Sequence, residues 1–233
     1  ADLRVVQAAL ILNRDYAGPL DGKWGPKSRA ALAAYARRLD GAGQPAARHL
    51  AALVDGFEAE QKTAGWTIDY FSETGLSIAQ PLGMMKPETS IEGHLTLRSR
   101  PEGLIVRRML RPRLETISMH DWAQRNHAGP SRPTQVLGEA QMITAVELDG
   151  RTRLFLRSDR VGERFATILV QGERSQLGRY DLIRASLRQG RQPDLVLSPG
   201  GRIAQIVGRA AAPLPTGRPM PRPEPPPETA ADE

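Results

Sequence analysis

The chain has 233 residues and no cysteine, which excludes disulfide scaffolds, cysteine-ligated metal sites and cysteine nucleophiles. It is 40% hydrophobic, yet its longest apolar runs fall well short of the roughly 18 residues that a membrane-spanning helix needs, so we expect no transmembrane segment. The net charge of +6 suggests an anionic partner, but no segment is a basic block. Charge alone therefore does not indicate nucleic acid binding.

Residues 2–60 have the apolar spacing of three helices. Apolar side chains recur at i, i+3, i+4 and i+7 over residues 3–13, and the same pattern returns over residues 30–39. A third helix is predicted over residues 46–61, after the turn-forming residues 41–45. The first part of the chain is therefore expected to be helical.

After Gly65 the period changes to that of strands. Short alternating or β-rich runs are separated by Gly, Pro, Asp and Ser, and Asp149-Gly150 predicts a tight hairpin. The runs are residues 67–71, 76–79, 95–97, 104–110, 142–148, 153–156 and 164–170. Further helices are predicted over residues 116–127 and 179–188. We therefore expect a largely antiparallel sheet with packed helices.

The last part of the chain is rich in proline. Residues 213–227 carry proline at more than half of their positions, which favours extended polyproline II structure over a packed core. The segment is either a spacer before a further domain or a disordered tail. The first residue is Ala1, so the chain is either a processed exported protein or an excised part of a longer one.

These elements predict an α+β fold in three parts. A small three-helix domain takes residues 1–62, an α+β domain takes residues 65–210, and a proline-rich tail or linker takes residues 211–233.

The most informative motif lies in residues 15–35. Gly18 to Gly22 form a turn in which Pro19 fixes φ, while Asp21 and Gly22 favour Asx-type and left-handed conformations. Gly25-Pro26 then begins an alanine-rich helix. The segment is thus predicted to be two helices joined by a glycine-rich loop that carries a tyrosine and a tryptophan.

This pattern resembles the three-helix peptidoglycan-binding domain of bacterial cell-wall proteins. The match covers roughly residues 3–40, although Tyr35-Ala36 stands where that family usually has Phe-Gln. The matching residues are Gln7, Tyr16, Gly18, Asp21, Gly22, Trp24, Gly25, Ser28, Ala30, Ala31 and Tyr35.

The resemblance implies a glycan or stem-peptide ligand and a cell-envelope location. Aromatic faces stack on sugar rings, and cations meet the carboxylates of peptides. The candidate peptidoglycan-binding residues are therefore Tyr16, Asp21, Trp24 and Arg29. The alternative is that Trp24 and Tyr35 fill the helical core and that Asp21 organises the loop.

The second half is similar to the PsbP-like α+β fold. An opening Gly-aromatic-x-Ile-x-aromatic element precedes the predicted sheet, and a helix closes it. The residues that carry this resemblance are Gly65, Trp66, Ile68, Tyr70, Tyr180, Ile183 and Leu187. The resemblance implies a binding or scaffold module rather than an enzyme.

No catalytic or cofactor motif is found in the sequence. His49, His94, His120 and His127 lack the spacing of paired metal ligands. The chain has no nucleophile elbow, P-loop, zinc-protease motif or dinucleotide fingerprint. We therefore predict no cofactor, no metal and no enzymatic activity for this chain.

Two groups of arginines are candidates for a partner or anion surface. Arg153, Phe155 and Arg157 alternate along one strand, an arrangement that binds nucleic acid or forms a solvated sheet face. Arg107, Arg108, Arg111 and Arg113 form the second group, for lipid headgroups, wall carboxylates or an acidic protein. The envelope compartment implied by the resemblance argues against nucleic acid.

The sequence thus predicts an exported, periplasmic, noncatalytic protein that binds peptidoglycan and tethers its α+β module to the wall, with another envelope protein as a further possible partner. Two alternatives stay open. In the first, the chain is the targeting half of a secreted hydrolase, for example a trypsin-like protease, with its catalytic part beyond Glu233. In the second, the chain is an interaction scaffold in which the helical domain is only a spacer.

Overall fold

The computed structural model describes residues 2–41, 43–89, 95–99 and 103–211. The predicted α+β fold is confirmed, with three N-terminal helices followed by antiparallel sheets and packed helices. The helices are α1 (Asp2–Leu12), α2 (Pro26–Asp40), α3 (Ala47–Ala64), α4 (Arg113–Arg125), α5 (Leu177–Ser186) and α6 (Arg202–Ala211). The proline-rich tail and His94 lie outside the described residues.

The strands form two antiparallel sheets, where the sequence had predicted one. The three-stranded sheet has the order β1-β2-β10, and the seven-stranded sheet has the order β3-β4-β5-β9-β8-β7-β6. The strands are β1 (Trp66–Phe71), β2 (Leu76–Pro81), β3 (Met85–Thr89), β4 (Leu95–Ser99), β5 (Leu104–Pro112), β6 (Thr134–Leu137), β7 (Gln141–Glu147), β8 (Thr152–Val161), β9 (Arg164–Glu173) and β10 (Arg188–Gln189). β3, β6, β10 and α6 were not predicted, and Arg188, expected at the end of a helix, lies in β10.

Local sequence signals explain several boundaries. Pro26 opens α2, and Gly41 closes it in a left-handed conformation with φ of 74°. In the predicted β7–β8 hairpin, the carboxylate of Asp149 accepts hydrogen bonds from the backbone N–H groups of Arg151 (2.9 Å) and Thr152 (2.6 Å). These bonds hold the connection so that β7 and β8 pair in the predicted antiparallel manner.

Both faces of the seven-stranded sheet are covered in its centre. On one face, α4 packs Ala123 against Leu154 and Leu156 of β8. On the other face, Phe155 belongs to a larger apolar core that also contains side chains of α5, the three-stranded sheet and α1. Residues of β8 therefore point into a packed layer on either side.

The N-terminal helices share this larger core rather than having one of their own. Leu20, in the turn after α1, is fully buried, and its backbone N–H donates to the carbonyl of Ala185 in α5 at 3.1 Å. Glu60 of α3 accepts two hydrogen bonds from Arg179 of α5, at 2.7 and 2.8 Å. The core is thus continuous across the predicted domain boundary near residues 62–65.

Candidate binding sites

A network around Gln7 holds the turn that carries the wall-binding resemblance. The side-chain amide of Gln7 donates to Asp21 Oδ1 and to the carbonyl of Lys23, both at 3.0 Å, and its oxygen accepts from the N–H of Gly22 at 2.7 Å. Gln7 is fully buried, so these bonds replace the water that the amide lost on folding. Gly22 has φ of 72°, which favours glycine.

Asp21 organises this turn, as one of the two sequence hypotheses proposed. Its Oδ1 also accepts the backbone N–H of Lys23 at 2.9 Å. Burial raises the pKa of Asp21, but the hydrogen bonds from Gln7 and Lys23 and the charge of Arg188 outweigh it, so the pKa lies below its ordinary value. The carboxylate is therefore charged, and it accepts hydrogen bonds from Gln7 and from the backbone of its own loop.

Tyr16 does not form an accessible stacking surface, which corrects its assignment as a ligand contact. Its side chain is buried, and its hydroxyl donates to the carbonyl of Pro19 at 3.4 Å. The ring lies so close to Gly18 that a Cβ there would be 2.3 Å from it. Tyr16 therefore supports the turn from within.

Trp24 and its cationic neighbours remain accessible. The indole of Trp24 is half-buried and packs partly on the core, while Lys23 and Arg29 are exposed. Among the described residues, none accepts a hydrogen bond from the indole N–H. That nitrogen reaches the surface, since it is not among the buried atoms that lack a partner. This surface offers part of an aromatic ring, one N–H donor and two cations.

The arginines of β5 do not form one surface, which corrects their grouping. Arg107 and Arg111 share one face of the strand, and Arg108 lies on the other. Their side chains also have partners within the protein: Arg107 donates to Thr96 Oγ1 at 2.9 Å, and Arg111 contacts Glu115 at 3.0 Å.

Arg108 covers an aromatic ring. The centre of its guanidinium lies 3.6 Å from the centre of the Phe71 ring, and the carboxylates of Asp69 and Glu73 are 3.9 and 3.8 Å from its nitrogens. Its charge is thus shared between a ring and two acids.

The predicted basic and aromatic face of β8 exists but is mostly covered. Arg153, Phe155 and Arg157 share one face, as the alternation indicated. That face packs into the larger core, so Phe155 is buried and cannot stack on a base. Arg157 is paired with Asp159 through two hydrogen bonds of 2.9 and 3.1 Å. Arg157 also lines a separate pocket near Asp21 and Arg188, and Arg153 opens onto a free space of its own.

That space is a pocket of about 260 Å³ beneath α5, which sequence reasoning missed. Tyr180 was named only for the PsbP-like resemblance, and Asp181 and Arg184 were not singled out. Their spacing at i, i+1 and i+4 on α5 is the one signal that the sequence contained. It becomes informative only once the sheet shows that Arg153 lies opposite them.

The described histidines have structural partners. His49 Nδ1 accepts the N–H of Ala46 at 2.8 Å, and His127 Nδ1 accepts the N–H of Glu147 at 3.2 Å. His120 is fully buried. Within residues 2–41, 43–89, 95–99 and 103–211, no three histidine or acidic side chains come together as metal ligands.

No described helix is both long and apolar enough to cross a membrane. Comparison of the sequence with protein-family models finds no matching family, and comparison with curated proteins finds no match.

Proposed function

We propose that this chain is a noncatalytic module of the bacterial cell envelope that binds peptidoglycan through the turn between α1 and α2 and tethers the α+β part to the wall. The observation that carries the proposal is the Trp24 surface, defined as Trp24 with Lys23 and Arg29. The Gln7–Asp21 network holds its loop in place before any ligand arrives. Such preorganisation lowers the entropic cost of binding.

The chemistry of the Trp24 surface suits a wall polymer. The indole presents an apolar face to a sugar ring, and its free N–H is a donor for a sugar hydroxyl or an amide oxygen. Lys23 and Arg29 are exposed beside it and attract the carboxylates of stem peptides. Tyr16 and Asp21 contribute by shaping the loop, not by contact with the ligand.

Co-sedimentation of the chain with isolated sacculi tests this function. We expect retention at low salt, and we expect Trp24→Ala to weaken it roughly threefold to tenfold, since aromatic contacts are worth about 0.5–1.5 kcal/mol. Trp122→Ala is the matched control, because Trp122 is 49% exposed on α4, away from the turn. Circular dichroism and thermal unfolding verify that both variants fold.

The charged part of the surface has its own control. Replacing both Lys23 and Arg29 by Gln should reduce the salt dependence of retention, whereas Arg125→Gln, at the exposed end of α4, should not. Absence of retention at low salt, or equal loss with the Trp122 variant, would overturn the proposal.

One observation favours a second candidate, an interaction scaffold whose helices bind no wall polymer. Leu20 inserts into the shared core and binds α5, so the turn also serves the packing of the whole chain. For a scaffold, none of the variants above changes sedimentation with sacculi.

A further inference from the structure

A small pocket is lined by residues of α5, β7 and β8. It has a volume of about 260 Å³, and residues of β6 and of the loop before β6 also line it. We call it the arginine pocket, after Arg132 in the loop before β6, Arg153 on β8 and Arg184 on α5. Its polar lining also includes Tyr180, Asp181 and Glu147, together with Ser131 and Thr134.

The guanidinium groups of this pocket are unusually free. Within the described part of the chain, Arg132 and Arg153 have no hydrogen-bond or ion-pair partner, and Arg184 reaches Asp181 only at 3.6 Å. The Nε atom of Arg184 is buried without any partner. By contrast, Arg157 and Arg179 hold carboxylates at 2.9 and 2.7 Å.

Tyr180 adds an unused donor. The residue is only 3% exposed, yet no described residue forms a hydrogen bond with its hydroxyl. Burial raises the pKa of Tyr180, so the phenol stays protonated and able to donate. Tyr180 lines the same pocket as Arg184, Asp181 and Arg153. Such a group is satisfied by an acceptor that enters the pocket.

The balance of charges indicates what kind of acceptor fits. Three arginines face two acids, Asp181 and Glu147, so the lining has one surplus positive charge. Burial raises the pKa of Asp181 in spite of the nearby arginines, which reflects how little water reaches it. The surplus attracts one carboxylate, and the two acids can accept a hydrogen bond from a donor beside it, whereas a dianion would meet both acids.

We propose that the arginine pocket binds a single carboxylate that has a hydrogen-bond donor beside it, as a free amino acid or the carboxyl end of a peptide has. The planar guanidinium of Arg153 and the Tyr180 hydroxyl donate to the carboxylate. The neighbouring ammonium or amide N–H donates to Asp181 or Glu147. The volume is smaller than that of sites for drug-sized ligands, which restricts the occupant to one end group.

Titration calorimetry with the full chain tests this site. The probes are alanine, the dipeptide Ala-Ala in both chiral forms, its C-terminal amide and inorganic phosphate. We expect saturable binding of alanine or Ala-Ala, with the amide weakened at least tenfold, because it lacks the charge that the arginines recognise. Preference for the dipeptide indicates a peptide end, and preference for alanine indicates a free amino acid.

Variants test whether binding depends on the arginine pocket or on another part of the protein. Arg153→Gln should weaken binding about tenfold, and Arg132→Gln, at the exposed rim, covers the case in which the first variant fails to fold. Arg125→Gln, on the exposed surface of α4, and Trp24→Ala should leave binding unchanged. The result is therefore independent of the wall-binding proposal. Equal affinity for the amide, tighter binding of phosphate, or no saturation with either carboxylate would overturn the assignment.

Discussion

His120 lies between two hydroxyl groups in the layer between α4 and the seven-stranded sheet. Its ring nitrogens are 2.8 Å from Thr144 Oγ1 and 2.8 Å from Ser158 Oγ, and Ser158 in turn contacts Thr167 Oγ1 at 2.7 Å. Hydroxyl groups rotate to suit either tautomer, so a neutral imidazole is satisfied here. Burial lowers the pKa of His120 from 6.5 to about 4, although Asp121 acts in the opposite direction.

This buried histidine predicts a loss of stability on acidification. Between the folded-state pKa of about 4 and the ordinary value of 6.5, the unfolded chain takes up a proton that the folded protein refuses. The contribution of the neutral His120 to the free energy of unfolding is complete above pH 6.5. It declines by about 3 kcal/mol as the pH falls toward 4. Urea unfolding of the protein and of His120→Gln at several pH values measures it. We expect the difference in free energy of unfolding between the two proteins to shrink by that amount as the pH falls. The same pH dependence of stability in both proteins would contradict the prediction.

At the scale of elements, helices α1 and α5 approach each other at Gly178. A Cβ on Gly178 would lie 2.3 Å from the backbone carbonyl oxygen of Leu12, whereas Gly56 in α3 has no atom within 4 Å of such a position. The first glycine therefore permits the contact between the two helices. The second has no packing role.

These two glycines form a matched pair for mutation. Gly178→Ala should lower the free energy of unfolding by roughly 1–3 kcal/mol, because α1 and α5 must separate. Gly56→Ala should raise it by about 0.5–1 kcal/mol, because alanine loses less entropy in a helix. Chemical denaturation of both variants measures the effects. A Gly178→Ala protein as stable as the parent would show that the two helices are not held together at this point.

The two strands of the seven-stranded sheet that sequence reasoning missed share a physical cause. β3 and β6 are the edges of the seven-stranded sheet, and most of their described side chains are exposed. An edge strand that buries few side chains need not alternate, and Pro87 within β3 removes a donor that an edge does not need. The central strands and α1–α5 bury a continuous face or stripe, so their residues predicted them well.

The candidate sites were predictable only in part. Period-two alternation correctly placed Arg153, Phe155 and Arg157 on one face, but Leu154 and Leu156 are also apolar, so the sequence did not show that both faces are covered. The same rule, applied to β5, separates Arg107 from Arg108. The arginine pocket joins β8 to α5 and was not predictable without the tertiary packing.

For the whole molecule, the continuous core bears on whether residues 1–62 form a domain of their own. The buried Leu20, the Glu60–Arg179 pair and the Gly178 contact each join the N-terminal helices to α5. Removing the helices would expose the apolar side chains of α5 that they cover. Point variants are therefore better tests of wall binding than a truncated chain.

Cooperative unfolding is the expected consequence of this core. Trp24 reports on the N-terminal turn and Trp122 on α4, across the sheet. Chains in which Trp24 or Trp122 is the single tryptophan, with Trp66 and the other one replaced by Phe, therefore monitor the two parts separately. Fluorescence in increasing urea should give the same midpoint for both reporters. Leu20→Ala should lower both midpoints together, because it empties a fully buried site that joins the two parts. The expected loss in the free energy of unfolding is about 2–5 kcal/mol. A shift confined to the Trp24 reporter would instead establish two domains that unfold independently, as the sequence had predicted.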